Sequence, residues 1–269
     1  EAADGGSRVT FEAREAGLLP EDGVELAGWF ASEVAAALAA ALDPARLGDW
    51  ITDRQARRPA GPRSREIYRD PLYHYPNFAV ILEELALRPD DRLLEVACGG
   101  GALLKRALES GCRAVGLDYS RDMVRVAREQ NAEAVAAGRL DVVLGDAHEL
   151  PFADGLFTAA AMTGVLGFLR DPVAALAAIR RVLAPGGRAA LLGSDPEDRG
   201  TPAAPEPFAS RLRFYDDAGL EALARDAGFA EVRVVRRPLE EYARAAGVPE
   251  EHVAFFRGPG TRFLLLRAG

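Results

Sequence analysis

Apolar positions recur along this chain in two rhythms. From Val24 to about Leu42 they follow the spacing of an Ala-rich helix, and a second helical stretch is expected from Pro44 to Arg57. Arg58-Pro59-Ala60-Gly61-Pro62 interrupts the pattern. A further helix is expected to open near Pro76, which suits a first helical position, and to end near Leu87. Residues 1–23 are polar and Gly-rich and read as a loose segment.

After Pro89 short apolar runs alternate with helical patterns. Strands are expected at Arg92–Val96, Arg113–Asp118, Asp141–Gly145, Leu156–Met162 and Arg188–Gly193. Helices are expected at Gly101–Glu109, at Ser120–Ala137 with Ser120 as N-cap, and at Pro172–Leu183, entered through Asp171. This alternation implies a mostly parallel sheet covered by helices. Residues 194–210 hold Pro196, Pro202, Pro205 and Pro207 and read as an irregular loop. Asp216–Ala227 reads as an amphipathic helix stopped by Gly228, and strands at Ala230–Arg236 and Arg262–Arg267 flank a short helix near Glu240–Ala246.

Composition narrows the picture. The chain has 269 residues, 49% of them hydrophobic, enough for a substantial core. No run of about 18 apolar residues is present, so no membrane span is expected. A net charge of −8 argues against a nucleic-acid partner, which is held through Lys and Arg. The cluster Arg54, Arg57 and Arg58 reads as a solvated helix end, and Lys105 is the one lysine. Cys98 and Cys112 show no metal-ligand spacing, so no metal site is expected and both read as free thiols. No basic-then-apolar leader is visible, and a cytoplasmic setting is the expectation.

Three segments carry candidate chemistry. Leu93-Leu94-Glu95-Val96-Ala97-Cys98-Gly99-Gly100-Gly101 joins a strand to a helix through glycines, which allow a tight turn and close approach to a ligand. Its spacing is Glu95-x-Ala97-x-Gly99-x-Gly101, not the G-x-G-x-x-G of dinucleotide sites. Asp118, in Gly116-Leu117-Asp118-Tyr119-Ser120, ends the next strand, where a carboxylate can accept both hydroxyls of a ribose. Gly145–Phe152 follows the third strand, and there Asp146 could accept from an exocyclic amine of adenine while Ala147 N–H donates to a ring nitrogen.

With these blocks, and with Arg181–Arg188 and Tyr215–Phe229 at their usual distances, the chain resembles the class I S-adenosylmethionine (SAM)-dependent methyltransferases over about residues 75–268. It is similar to the broad group that includes the ubiquinone/menaquinone-biosynthesis C-methyltransferases and many natural-product enzymes. The resemblance implies an α/β, Rossmann-like, seven-stranded, mostly parallel sheet with an antiparallel last strand, plus an N-terminal helical lid. The implied division is a helical extension over 1–88 and a SAM-binding domain over 89–269 with a lid insertion near 194–214. Glu95 would hold the methionine end, with Ala97, Cys98, Gly99 and Gly101 forming the loop around it. Asp118 would take the ribose, Met123 would pack on adenine beside Tyr119, and Asp146, Ala147 and His148 would line the adenine edge. The Thr163 carbonyl would meet the methionine amino group, and Tyr68 would approach the same end. Ala97 departs from the usual glycine, and Gly167-Phe168 stands where many relatives carry histidine.

Transfer of a methyl from a sulfonium can draw its rate from proximity and desolvation, with or without a base. Candidate bases are His74, beside Tyr73 and Tyr75, and His252, late in the chain. The competing reading of His74 and Tyr75 is an aromatic helix entry, and that of His148 is packing. The expected substrate is a small, partly apolar metabolite methylated at oxygen, carbon or nitrogen. Nucleic acid and membrane are not expected as partners, and monomer and homodimer both stay open. The alternative is a SAM-binding catalyst of the same fold that performs non-methylating chemistry such as cyclisation. An amino-type nucleic-acid methylase would want a Pro-Pro-Tyr-like block where Met162-Thr163-Gly164 stands, and a dehydrogenase Tyr-x-x-x-Lys is ruled out with Lys105 as the one lysine.

Overall fold

A computed structural model describes residues 43–258 and 260–269. The helix expected over Val24–Leu42 and the segment 1–23 lie outside the described residues. The chain divides into two compact units, residues 1–50 and 51–269. Helix α1 spans Pro44–Thr52 and is followed by a π turn over Asp53–Arg57, matching the expected second helical stretch.

In the larger unit, seven strands form one sheet: β1 (Arg92–Val96), β2 (Arg113–Asp118), β3 (Leu140–Leu144), β4 (Phe157–Met162), β5 (Leu183–Leu192), β6 (Glu231–Arg237) and β7 (Thr261–Arg267). Their order is β3-β2-β1-β4-β5-β7-β6. β1 to β5 pair in parallel, and β7 runs antiparallel to both β5 and β6. This is the expected Rossmann-like architecture.

Alternation along the strands feeds two cores. Leu94, Val96, Ala160, Met162 and Leu191 face the layer of α7 (Pro172–Val182) and α8 (Asp217–Asp226). Leu93, Ala159, Ala161, Ala114 and Val142 face the opposite layer. That layer holds α3 (Tyr75–Leu85), α4 (Ala102–Ala107) and α5 (Arg121–Gln130), through Phe78, Ile81, Leu103 and Val124. Polar caps set the helix entries. Ser120 Oγ accepts from Met123 N, Asp171 from Ala174 N and Asp216 from Gly219 N.

Three elements depart from expectation. Helix α2 (Pro62–Arg69) occupies a segment, after the break at Arg58–Pro62, to which the sequence pattern assigns no element. The expected helix Ser120–Ala137 is two helices, α5 and α6 (Ala132–Ala136), parted at Asn131. There the Asn131 side-chain amide donates to Gly101 O at 3.2 Å and to Ala127 O at 2.9 Å, competing with the helix ladder. Strand β5 opens at Leu183, five residues before the expected start, because Leu183 already pairs with Phe157. The β6–β7 connection carries α9 (Glu240–Ala245), as expected, and also α10 (Glu250–Val253) with a 3₁₀ turn over Ala254–Phe256.

Candidate functional site

The carboxyl ends of β1, β2, β3 and β4 gather the residues singled out from the sequence. Glu95 is 2% exposed, and its Oε2 has no partner. Burial raises its pKa well above the carboxylate range; the charge of Asp118 adds to this, and a hydrogen bond from the Leu104 backbone opposes it. After Glu95 the loop turns sharply. Ala97 takes φ +58, a left-handed conformation that costs an alanine about 1–2 kcal/mol. The Cys98 thiol is buried against Gly116 and Leu104, so the loop offers a ligand only its backbone at that position.

Asp118 is 6% exposed. Its Oδ2 accepts from Gly99 N and its Oδ1 from Ser120 N, both at 2.8 Å. Each oxygen keeps a lone pair, so the carboxylate can still accept two hydroxyl donors. Burial pushes its pKa up to about 6, against the pull of the Ser120, Gly99 and Tyr119 N–H groups. Tyr119 is exposed, with the Arg58 guanidinium 5.1 Å from its ring centre. Met123, expected to border the adenine, is fully buried.

Asp146 and His148 bond to each other. Asp146 Oδ1 accepts from His148 N at 2.9 Å and lies 2.5 Å from His148 Nδ1. His148 Nε2 in turn accepts from Asp171 N at 3.2 Å, which places the ring proton on Nδ1. Burial raises the Asp146 pKa, but His148 and Arg170 together hold it below the ordinary value. His148 therefore orients Asp146 and ties its loop to the start of α7.

A strap from the larger unit's N-terminal segment covers this edge. Pro59 O accepts from Ser120 Oγ. Asp122 Oδ2 accepts from Gly61 N at 2.7 Å and from Arg65 Nη1 at 2.9 Å, and Arg69 pairs with Glu129. The Tyr68 phenol donates to Gln55 O at 3.1 Å; burial raises its pKa, and Asp118 adds to this. Gly100 is needed by this docking, since a Cβ there would stand 2.1 Å from Tyr68 O. Nothing in the polar sequence of α2 announces these ties.

The candidate bases separate. His74 is solvent-exposed, and desolvation of its ring by the surrounding protein lowers its pKa. Its Cε1 is 3.6 Å from where a Gly164 Cβ would be, just past β4. Tyr75 is engaged elsewhere: its hydroxyl donates to Asp70 Oδ1 at 2.6 Å, and Arg106 sits 3.9 Å from its ring centre. His252 Nδ1 instead meets the Tyr73 hydroxyl at 2.8 Å, with Phe255 stacked beside it. Tyr73 was missed because its partner lies 179 residues away.

Gly167, which departs from the histidine expected from the resemblance, is enforced by packing. An added Cβ would lie 2.6 Å from both Arg213 O and Ser194 Oγ. Arg213 N donates to Gly167 O at 2.9 Å, so the segment after β5 occupies the space a side chain would need.

The comparisons agree with this geometry. A family model described as a methyltransferase domain matches residues 94–191. An uncharacterized 37.1 kDa protein in transposon TN4556 of Streptomyces fradiae is 37% identical over 171 residues, 58% of this chain and 48% of that protein. The 2-phytyl-1,4-naphtoquinone methyltransferase of Synechococcus elongatus is 36% identical over 110 residues, 40% of this chain and 47% of that enzyme. The UbiE C-methyltransferase of ubiquinone/menaquinone biosynthesis from Dinoroseobacter shibae is 43% identical over 118 residues, 42% of this chain and 46% of its own. The chain thus spans about half the length of the curated relatives it matches. Among solved structures, a SAM-dependent methyltransferase from Aquifex aeolicus superposes with TM-score 0.59 at 18% identity, covering 78% of this chain and all (100%) of that one. The cyclase SpnF superposes with TM-score 0.55 at 24% identity, covering 71% and 79%. Sheet order, loop geometry and these likenesses together identify a class I SAM-dependent methyltransferase fold.

Proposed function

We propose that the protein transfers a methyl group from SAM to an oxygen, carbon or nitrogen of a small molecule. One observation carries the reading: two buried carboxyl groups, Glu95 and Asp118, stand at adjacent strand ends, and one Glu95 oxygen lacks any partner. A buried polar atom without a partner costs about 1–3 kcal/mol, and it is tolerated where a ligand supplies the bond. The acceptors fit the cofactor: carboxyl groups for an ammonium and a ribose diol, and the half-buried Asp146 for an adenine amine.

When bound, the sulfonium supplies an activated methyl group. The protein's part is to hold, orient and exclude water. Asp118 would fix the ribose, and Asp146, held by His148, the base. His74, whose pKa desolvation lowers and whose ring lies beside Gly164, would accept a proton from an acidic substrate group. Tyr73, His252 and Phe255 would form an aromatic contact surface for the substrate. A small-molecule substrate is our reading of the acidic charge, and a cytoplasmic setting our reading of the free thiols Cys98 and Cys112.

The reading is tested with S-adenosylhomocysteine (SAH). Ligand linkage predicts a melting temperature that climbs with SAH concentration, about 2.7 kcal/mol of added stability at a hundredfold excess over Kd. An unchanged melting temperature at millimolar SAH would overturn it. Cyclisation without methyl transfer, suggested by the shared fold of SpnF, is separated by mass spectrometry: turnover would leave SAM unconverted.

A further inference from the structure

We propose that Asn77 is a cofactor-binding residue whose side-chain carbonyl accepts a hydrogen bond from the cofactor's α-ammonium group. The inference rests on the SAM reading above and extends it to a helix that the glycine loop and acidic blocks do not include.

Asn77 is 9% exposed, and its Oδ1 has no partner. It belongs to the buried stripe of α3, one turn before Val80 and Ile81, both at 0% exposure. A structural asparagine in that stripe would have found a donor, and a packing position would have taken an apolar residue as its neighbours do.

Its surroundings are fixed by strand parity. Leu93 of β1 packs in the same core as Phe78 and Ile81 of α3, so Glu95, two residues on, projects into the α3 layer as well. Ala159 and Ala161 of β4 face that layer too, and Thr163 continues their row past the strand end. Glu95 pairs directly with Ala161. The first turn of α3 is pinned on both sides of this spot: His74 reaches Gly164 after β4, and the Tyr75 ring lies under Arg106 of α4. Three buried oxygens without partners, Asn77 Oδ1, Glu95 Oε2 and Thr163 Oγ1, thus belong to one layer at the carboxyl edge. An amide carbonyl and a carboxyl oxygen without donors, with a hydroxyl that can also accept on the same edge, suit a cation with several N–H donors. An ammonium group has three, and a carboxylate has none.

The test is calorimetric and needs no substrate. SAH, S-adenosyl-3-thiopropylamine (amine kept, carboxylate absent) and 5′-methylthioadenosine (neither) are titrated into the full chain and into Asn77→Ala. The expected result is a loss of about 10- to 100-fold for the first two ligands and none for the third, the scale of a hydrogen bond to a charged group. Equal losses for all three, a loss confined to SAH, or SAH affinity retained within about 2-fold would each overturn the assignment of Asn77. Asn77→Asp keeps the acceptor and is read if Asn77→Ala does not fold. It should bind SAH at least as tightly as the parent with methylthioadenosine unchanged, and weaker SAH binding would overturn the proposal. Failure of the parent chain to bind SAH overturns the cofactor reading itself, so the two failures are distinct.

Discussion

Asp118 makes the stability of the fold depend on pH in a way that one isosteric substitution should remove. Its folded pKa is about 6 against an ordinary value of 3.8. Folding therefore favours the protonated form. The associated stabilisation is complete below pH 3.8 and is lost as pH rises through about 6. At 1.36 kcal/mol per pKa unit the gap amounts to about 3 kcal/mol. Asp118→Asn keeps the shape and cannot titrate. Its absolute stability at one pH is a poor readout, because the new amide must face either Gly99 N–H or Ser120 N–H, leaving donor against donor at a cost of about 1–3 kcal/mol. The pH slope is the clean observable. Urea melts of both proteins from pH 4 to 8 should show the parent losing about 2.4 kcal/mol relative to the variant, the part of the gap that window spans, or about 5–10 °C of relative melting temperature for a unit of this size. Asp198, also pushed up to about 6 by burial and by Asp195 and Glu197, titrates in the same window but is present in both proteins and cancels. A difference curve flat to within about 0.5 kcal/mol across that range would refute the assignment of a desolvated carboxyl at this position.

Three further outcomes are expected. Ala97→Gly relieves a left-handed alanine at about 1–2 kcal/mol and forfeits about 0.4–1 kcal/mol of chain entropy, so denaturant melts should show a net gain of up to about 1.5 kcal/mol. Gly100→Ala drives a methyl into Tyr68 O and should release the strap. Limited proteolysis should cut sooner between Gln55 and Asp70, with about 2 kcal/mol lost, whereas Gly186→Ala, with nothing nearby, should leave the cleavage pattern unchanged. Arg262→Met should lower stability by about 3 kcal/mol, because it strands the buried Asp195 and also loses Asp217; adding Asp195→Leu should recover much of the loss in thermal melts.

The parts of this molecule that were legible in its sequence are those whose physics is local. β1 and β2 are buried on both faces and read as apolar runs, and their carboxyl ends carry Glu95, Asp118 and the glycines within a few residues. Ser120, Asp171 and Asp216 cap as expected because capping needs only the next three residues. Helix α2 was not legible. Its sequence, Pro62-Arg63-Ser64-Arg65-Glu66-Ile67-Tyr68-Arg69, has no apolar stripe, and Ser64 is its one buried residue. Asp122, Glu129 and the loop at Gly100 hold it in place. The break at Asn131 was hidden for a related reason: an asparagine amide that reaches back to Gly101 looks, in one dimension, like one more polar helical position. Tyr73 and Tyr75 are alike in sequence, but side-chain direction at the step from the 3₁₀ turn Leu72–His74 into α3 decides which phenol meets His252 and which meets Asp70.

The turn over residues 118–122 serves two roles, and this explains why its buried members, Asp118 and Ser120, are polar. Asp118 closes the glycine loop through Gly99 and keeps lone pairs for a diol. Ser120 caps α5 and at the same time donates to Pro59 of the strap. Asp122 sits in the first turn of α5, where a carboxylate is favoured by the helix dipole, and accepts from Gly61 and Arg65. A ligand drawn to Asp118 and a strap latched to Ser120 and Asp122 therefore share one short piece of backbone. A displacement of that piece must alter both the cofactor edge and the strap that covers it. In this chain the common sheet supplies the carboxyl edge, and a polar segment about sixty residues upstream supplies its cover.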